Sequence, residues 1–318
     1  MTSESTTRDE LKVTEFDYNK ISITAKLVAF FRKFSDIPFA KEVAEYVHAA
    51  DAVAEIAKQL DESGARFTDS NSELTDDAKV YGPILETRYK SLVQLIHNSG
   101  TTQVLELASG FSLRGLAMSQ NSADLVYVDT DLPGIREEKG KLVEVLSAQH
   151  SSGSTANYHI AIANALDLSQ LKNAAEVFRK DRKLVIVNEG LLMYLSVDER
   201  SQLAKNVREI LSMFSNGAWI TPDFSTREVF ENVPERIKNF RRAISGTTDR
   251  ALYENAFENE EALEAFIRDH GFAAEHHYQV DLVPQITSLK RLGLHAQVVE
   301  RLRPRLRIWD MKPSTCFQ

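Results

Sequence analysis

The sequence predicts an α/β fold: a doubly wound, mostly parallel sheet of seven strands, with an N-terminal helical lid and a helical insertion late in the chain. The first observation is a change in the pattern of apolar residues at Thr102, after which short apolar runs alternate with helical stretches. The second is that three of these runs, the first, second and fourth, are dominated by apolar residues, as expected of strands that helices cover on both faces. The third is the capping box Ser196-Val197-Asp198-Glu199, which marks a helix start within the alternation.

The apolar runs supply the seven strand candidates. They lie at residues 103–107, 125–129, 158–163, 184–188, 218–222, 274–280 and 306–309. Between them, apolar residues recur with the three- and four-residue spacing of helices. These helix candidates lie at residues 113–120, 134–149, 169–179, 197–214 and 260–270. A strand that is followed by a helix and then by another strand indicates parallel neighbours in one sheet.

The first hundred residues have a helical rather than an alternating pattern. Apolar residues at helical spacing predict helices over residues 21–60, interrupted at Pro38, where the next helix should begin. A further helix is predicted over residues 83–98. We interpret residues 20–100 as a helical lid and the polar residues 1–19 as a mobile tail.

The remaining chain, residues 101–318, should form the main domain. Residues 224–259 are mostly helical in pattern and are not needed for the strand–helix alternation. We therefore expect a substrate-side insertion at about 225–259, because loops and insertions on a rigid scaffold commonly carry specificity.

The composition excludes several classes of protein. The net charge is −8, from 46 acidic and 38 basic residues in no dominant block, which disfavours a general nucleic-acid-binding surface. The single cysteine, Cys316, excludes an internal disulfide and a cysteine metal cage, and we predict no metal. The sequence shows neither a secretory signal nor a long apolar run, so we expect a cytoplasmic protein without membrane contact.

Arginines alternate with other residues near the carboxyl end of the chain. They are Arg301, Arg303, Arg305 and Arg307. Because side chains of a strand alternate between its two faces, this spacing favours one solvated face of a strand and its lead-in. A patch for an anionic partner is the alternative.

The end of the first predicted strand indicates a small-molecule site. Ligands bind an open α/β sheet where strands end and helices begin, and small residues there allow close approach. The segment Val104 to Phe111 has one glycine, Gly110, and lacks the Gly-x-Gly-x-x-Gly spacing that dinucleotide binding requires. This pattern disfavours a nicotinamide oxidoreductase and favours a cofactor without phosphates, such as S-adenosylmethionine, although an ordinary turn would look the same.

Three further strand ends carry polar residues. Asp129 ends the second strand and Asp131 comes two residues later, where a carboxylate can accept both hydroxyls of a ribose. Asn164 follows the third strand, where an amide can meet an adenine edge. Glu189 follows the fourth, where burial requires a cationic partner, either a bound amine or an arginine. Taken singly, each residue also fits a turn, a helix cap or an ion pair. Together they mark one edge of the sheet.

Five segments carry a family resemblance. They are LASGFSLR at 107–114, TDLP at 130–133, NALDLSQL at 164–171, EGLLMYL at 189–195 and ETRY at 86–89. With these segments the chain resembles the leucine carboxyl methyltransferase family, and within it the bacterial polyketide-type carboxyl O-methyltransferases. Residues 24–40 also look like the N-terminal helix of the family and the segment that follows it. The resemblance covers roughly residues 20–225 and fades across 226–318. It implies a Rossmann-like methyltransferase fold and S-adenosylmethionine as cofactor.

The resemblance also implies roles for individual residues. By similarity, Arg88 should pair with the carboxylate of the cofactor, Asp131 should hold the ribose, and Glu189 should lie near the methionine amine. Asn164 and Ala165 should meet the adenine. Arg32, or less favourably Lys33, stands where the family has a basic residue from its lid.

The chain departs from the family pattern at three positions. Ala108 replaces the first glycine of the motif, Ser112 replaces an aspartate, and Asn164 replaces the aspartate of the adenine loop. The added methyl group of Ala108 should weaken the close approach of a cofactor. Asn164 loses a charge but keeps an acceptor oxygen.

The predicted reaction is methylation of a carboxylate on a small organic acid or at a chain terminus. A carboxylate is ionised at neutral pH, so the acceptor needs no general base. Candidates for positioning it are Tyr194 and four arginines. The arginines are Arg114, Arg227, Arg241 and Arg242. The alternatives are methylation of a hydroxyl on a small aromatic or polyketide-like compound and binding of the cofactor without catalysis.

Overall fold

The computed structural model describes residues 18–62, 67–69, 71, 73–149, 156–231, 238 and 255–314. Seven strands form one sheet in the order β3-β2-β1-β4-β5-β7-β6. The first five strands run parallel, and β7 is antiparallel to both of its neighbours. The strands are β1 (Gln103–Leu107), β2 (Val126–Asp131), β3 (Tyr158–Ile162), β4 (Lys183–Asn188), β5 (Asn216–Thr221), β6 (Phe272–Tyr278) and β7 (Arg307–Pro313). The predicted fold class is confirmed.

Helices precede the sheet and connect its strands. The N-terminal helices are α1 (Tyr18–Arg32), α2 (Ala40–Tyr46), α3 (Ala49–Glu62), α4 (Asp76–Lys79) and α5 (Tyr81–Asn98). Those that follow β1 are α6 (Arg114–Asn121), α7 (Pro133–Gln149), α8 (Leu168–Ala174), α9 (Val197–Ser212), α10 (Arg227–Glu231), α11 (Glu260–Asp269), α12 (Thr287–Arg291) and α13 (Gln297–Leu302). The predicted capping box is present at the start of α9, where Ser196 accepts from the Glu199 amide.

The sheet separates two hydrophobic cores, as a doubly wound architecture requires. Successive residues of β1 belong to different cores: Val104 packs in the core that contains the N-terminal helices, and Leu105 packs in the core that contains α9. Every residue of β1 is buried. The mostly apolar pattern of β1 therefore predicted correctly that this strand is covered on both faces.

The arginine-rich segment near the carboxyl end is not a strand. Its first part belongs to α13, residues Arg303–Arg305 form a 3-10 turn, and only Arg307 lies in β7. The prediction of one strand face holds for Arg307 and fails for the lead-in, because Arg301 to Arg305 lie in a helix and a 3-10 turn. Arg303 pairs with Asp281, and Arg307 pairs with Glu260. The helices α12 and α13 were not predicted.

Several predictions concern residues outside the described parts of the chain. Residues 1–17 of the expected tail, most of the insertion at about 225–259, and both Arg241 and Arg242 lie there. The division into tail, lid at 20–100 and main domain at 101–318 stays a prediction. Within the described parts, no helix has both the length and the apolar content to cross a membrane.

Gly115 allows α6 to lie close against two strands beneath the site. A Cβ at this position would lie 2.5 Å from Cδ1 of Tyr127 and 2.7 Å from Cε2 of Tyr158. Both rings are buried, and their hydroxyls hold carboxylates on β1 and β2. The absence of a side chain at Gly115 therefore sets the distance between α6 and the sheet.

Gly115→Ala should lower the free energy of unfolding by about 1–2 kcal/mol. The overpacking cost exceeds the gain of about 1 kcal/mol in helix propensity. Urea denaturation measures the change. Gly140→Ala is the matched control, since a Cβ there meets nothing within 4 Å and the helix should gain stability. Equal effects of the two substitutions would contradict the assigned packing.

Candidate functional site

A cavity of about 1060 Å³ opens at the carboxyl ends of β1 to β4. Its floor consists of the segments that directly follow these strands, and α1, α2 and α5 contribute further walls. Nine of the predicted site residues line it: Arg32, Arg88, Ala108, Gly110, Asp131, Asn164, Ala165, Glu189 and Tyr194. The volume reaches the upper end of the range for single small-molecule sites, about 300–1000 Å³, and is large enough for two ligands.

Glu189 is the electrostatic centre of this cavity. Its Oε1 lies 2.5 Å from Nη2 of Arg32 and 3.6 Å from Nε of Arg88, and its Oε2 accepts from Nη2 of Arg114. Burial alone would raise the pKa of the carboxyl group, but Arg32, Arg114 and Arg88 outweigh burial and lower the pKa to about 2. Glu189 is therefore an anion in the folded protein at every physiological pH.

Arg114 pairs with Glu189 but does not line the cavity. Its guanidinium is completely buried and bridges Glu106 on β1 to Glu189 beyond β4. The ring of Tyr89 lies 4.6 Å from the Arg114 guanidinium carbon and 5.1 Å from that of Arg32. Burial raises the pKa of Tyr89 to about 12, so its hydroxyl remains protonated. These contacts bury Arg114 between Glu106 and Glu189, outside the cavity lining.

Glu106 completes the buried chain of charges. Tyr127 donates to its Oε2 at 2.5 Å, and Arg114 donates to its Oε1. Burial raises the pKa of Glu106, and the nearby arginine opposes that rise. The sequence analysis did not select Glu106, although a charged residue inside an apolar strand was an available signal.

Asp223 organises the loop after β4 and was also missed. It accepts hydrogen bonds from the amides of Gly190, Leu191 and Leu192 at 2.7–3.2 Å. Arg88 donates to its Oδ1 at 2.8 Å. Because Asp223 follows the end of β5, its position at the same sheet edge was the signal that could have identified it.

The loop after β1 has strained backbone at the departure from the family motif. Ala108 has a φ of 49° and Gly110 a φ of 54°. Only glycine adopts this region without cost, and other residues pay about 1–3 kcal/mol when the structure holds them there. Asp131 accepts from the Gly110 amide at 2.7 Å and from the Leu132 amide at 2.8 Å, which fixes the loop beside the cavity.

Asp129, a predicted ribose ligand, faces away from the cavity. Its Oδ2 lies 2.6 Å from Nζ of Lys139 and accepts from the Tyr158 hydroxyl at 2.5 Å. Lys139 also donates to Oγ of Ser109 at 2.9 Å. Asp129 lies two residues inside the strand end, so α7 and β3 cover it, whereas Asp131 reaches the open edge.

The other predicted residues occupy different environments. Asn164 is exposed at the cavity rim, and its Oδ1 accepts from the Leu166 amide at 3.0 Å. Ala165 is buried beside it. The Tyr194 hydroxyl donates to Oγ1 of Thr24 at 2.8 Å, and burial raises its pKa. Arg227 is exposed at the start of α10 and lies outside the cavity lining.

Glu189→Gln should lower the free energy of unfolding at pH 7 by about 3–5 kcal/mol, because three guanidiniums lose their shared anion. A folded pKa near 2, below the ordinary 4.5, gives stability that is present above pH 4.5 and lost as the pH falls toward 2. The difference from the wild type should therefore shrink below pH 4.5.

Chemical denaturation at several pH values measures this difference. Glu137→Gln is the control, since Glu137 and Lys141 form an exposed ion pair whose loss should have little effect. A difference for Glu189→Gln that stayed constant down to the acid transition would contradict the assigned ion pairs.

Comparison with known proteins identifies the family. The model of the leucine carboxyl methyltransferase family matches residues 32–208. No curated protein sequence matches the chain. A solved "putative methyltransferase" from Thermobifida fusca YX has a TM-score of 0.54 at 13% identity, covering 91% of this chain and 94% of its own. A "putative O-methyltransferase" from Nostoc punctiforme PCC 73102 has a TM-score of 0.45 at 14% identity, covering 82% and 68%.

The structural likeness concerns the fold, while the family match concerns the sequence. The matched residues begin at Arg32 and include the strand ends that line the cavity, from Ala108 to Tyr194. Because the family model matches more than half of the chain, this protein belongs to the leucine carboxyl methyltransferase family of S-adenosylmethionine-dependent methyltransferases.

Proposed function

We propose that the protein transfers a methyl group from S-adenosylmethionine to a carboxylate oxygen of a small organic acid or a chain terminus. The observation that carries this proposal is the ion cluster of Glu189, Arg32 and Arg88 inside one cavity with Asp131. The cluster offers both signs of charge at the edge of the sheet where α/β folds bind ligands. The motifs at 107–114 and 189–195 support the polyketide-type carboxyl branch of the family.

The charged residues fit the amino-acid part of the cofactor. Glu189 is ionised and can accept from an ammonium group. Nε of Arg88 and Nε of Arg32 are buried and have no hydrogen-bond partner among the described residues. Each guanidinium therefore retains a donor that a cofactor carboxylate can satisfy, and we assign that role to Arg88 first, as its side chain is the more exposed of the two.

The loops after β1, β2 and β3 fit an adenosine. Each Asp131 oxygen accepts one amide, which leaves further acceptor capacity for ribose hydroxyls. The Cα of Gly110 faces open space, with nothing within 4 Å of a Cβ position. Asn164 and Ala165 line the cavity beyond Asp131, and we propose them as the neighbours of the adenine. Ala108, which also lines the cavity, has a left-handed backbone conformation that glycine would adopt without cost.

S-adenosylmethionine, when bound, supplies an electrophilic methyl group on a positively charged sulfur. The protein then has to hold the acceptor oxygen in line with that group, about 3 Å away. The described residues that line the cavity include no histidine, and their four acids already pair with cations, hydroxyls or amides. A hydroxyl acceptor would need a base, so this lining favours a carboxylate that is already ionised.

The cofactor assignment predicts that S-adenosylhomocysteine binds with a dissociation constant of about micromolar order and raises the melting temperature. Arg88→Ala should weaken this binding at least tenfold, about 1.4 kcal/mol, by removing the donor to the ligand carboxylate. Isothermal titration calorimetry measures both values.

Arg227→Ala is the matched control, since that arginine is exposed outside the cavity lining and its loss should leave the affinity unchanged. Absence of heat for the wild type at about 1 mM ligand would reject the cofactor assignment. An unchanged affinity for Arg88→Ala would remove only Arg88 from the site.

The carboxylate assignment predicts a base-labile product. With methyl-labelled S-adenosylmethionine and a panel of carboxylic acids and phenols, the label should enter the acids and leave them as methanol after mild alkali, because esters hydrolyse where ethers do not. A base-stable product would establish a hydroxyl acceptor instead. S-adenosylhomocysteine binding without transfer to any member of the panel would support a protein that binds the cofactor without catalysis.

A further inference from the structure

We propose that the acceptor is a monocarboxylic acid with an extended apolar body, and that helix α1 selects it. This inference rests on the proposed function, because it assigns the acceptor part of the same cavity. The matching family model does not cover this helix, since it begins only at Arg32, the last residue of α1.

One face of α1 forms a wall of the cavity. Its contributing residues are Thr24, Ala25, Val28, Ala29 and Arg32. Positions separated by three, four and eight residues lie on the same side of a helix. At 1.5 Å per residue, the face extends about 12 Å from Thr24 to Arg32. The helix therefore presents an elongated surface rather than a single contact.

Polar contacts mark the two ends of this face, and small apolar residues lie between them. Arg32 contacts Glu189 at one end, and Thr24 accepts from Tyr194 at the other. Between these ends the helix presents Ala25, Val28 and Ala29, whose short side chains leave the cavity wide. The surface between the ends offers a ligand no charged side chain.

The rest of this wall is also apolar. It comes from the segment that follows α1, from α2 and α5, and from the loop after β4. The residues are Ile37, Ala40, Val43, Leu85 and Met193. Burial of an apolar chain against such a surface is favourable in proportion to the area removed from water.

The charges of the cavity disfavour a second anionic group on the acceptor. Among the described lining residues, the cations are Arg32 and Arg88, and each already contacts a carboxylate of the protein. A second anionic group on the acceptor would be buried among α1 and α2 without a cation, which is costly. One carboxylate at the reacting end is therefore the charge that the site accommodates.

The length of the face sets the expected length of the acceptor. An extended chain advances about 1.2 Å per bond, as the backbone spacing of about 3.5 Å per three bonds shows. About ten bonds then span the 12 Å face of α1. We infer a preference for straight-chain monocarboxylic acids that increases up to about ten carbons and then stops.

The first test is a series of saturated monocarboxylic acids of two to twelve carbons, assayed with labelled S-adenosylmethionine. The value of kcat/KM should rise about fourfold per methylene until about ten carbons, as expected for burial of each methylene group. Dicarboxylic acids of equal length should react at least tenfold more slowly. A flat series, or better turnover of dicarboxylic acids, overturns the inference.

The second test changes the wall itself. Val28→Trp should shift the optimum to shorter acids and leave S-adenosylhomocysteine affinity unchanged, while Val28→Ala should shift it to longer acids. Lys26→Trp places the same side chain on α1 outside the cavity lining and should keep the wild-type optimum. If Val28→Trp does not fold, the opposite shift by Val28→Ala decides the question.

The two proposals fail in different ways. A wild type that gives no heat with S-adenosylhomocysteine rejects the proposed function itself. A wild type that binds this ligand and methylates acids, but whose chain-length optimum is the same in Val28→Ala, Val28→Trp and Lys26→Trp, rejects only the role of α1. Opposite shifts in the two Val28 variants, with unchanged affinity for S-adenosylhomocysteine, support both.

Discussion

A buried carboxylate at the end of a strand requires cationic partners, and the arrangement of the site depends on the partners of Glu189. Its oxygens contact Arg32 from α1, Arg88 from α5 and Arg114 from α6. Removal of these charges from water is costly, and only close pairing offsets the cost. The ion pairs of Glu189 therefore hold α1, α5 and α6, which are distant in the sequence, against the end of β4.

The same requirement links cofactor chemistry to acceptor selection. Arg32 is the last residue of α1, so the ion pair with Glu189 fixes the orientation of the helix whose apolar face lines the cavity. Asp223 has a comparable role on the other side, where it holds Arg88 and the loop after β4. Charged residues thus position an apolar surface. In our proposals the charged residues bind the cofactor and the apolar surface binds the acceptor of the same reaction.

Prediction from sequence succeeded where a local pattern has a single physical cause. Apolar runs gave all seven strands, and several of the polar and small residues selected at their ends line the cavity. Prediction from sequence failed where one pattern fits two different structures. Alternating arginines fit a strand face, but Arg301 to Arg305 lie in a helix and a 3-10 turn, and only Arg307 lies in β7. Glu106 and Asp223 were missed although each had a local signal, and their partners come from other elements, which the sequence does not show.

The sequence by itself determined the sheet, its strand ends and the family motif, since hydrophobic periodicity and capping are short-range properties. Only the tertiary structure decided which polar side chains at those ends face the cavity. Asp131 reaches it, while Asp129, two residues earlier, is covered by Lys139 and Tyr158. Arg114, predicted to face the acceptor, is buried between two carboxylates. Burial and pairing of charge depend on neighbours that folding brings together, and no local pattern specifies them.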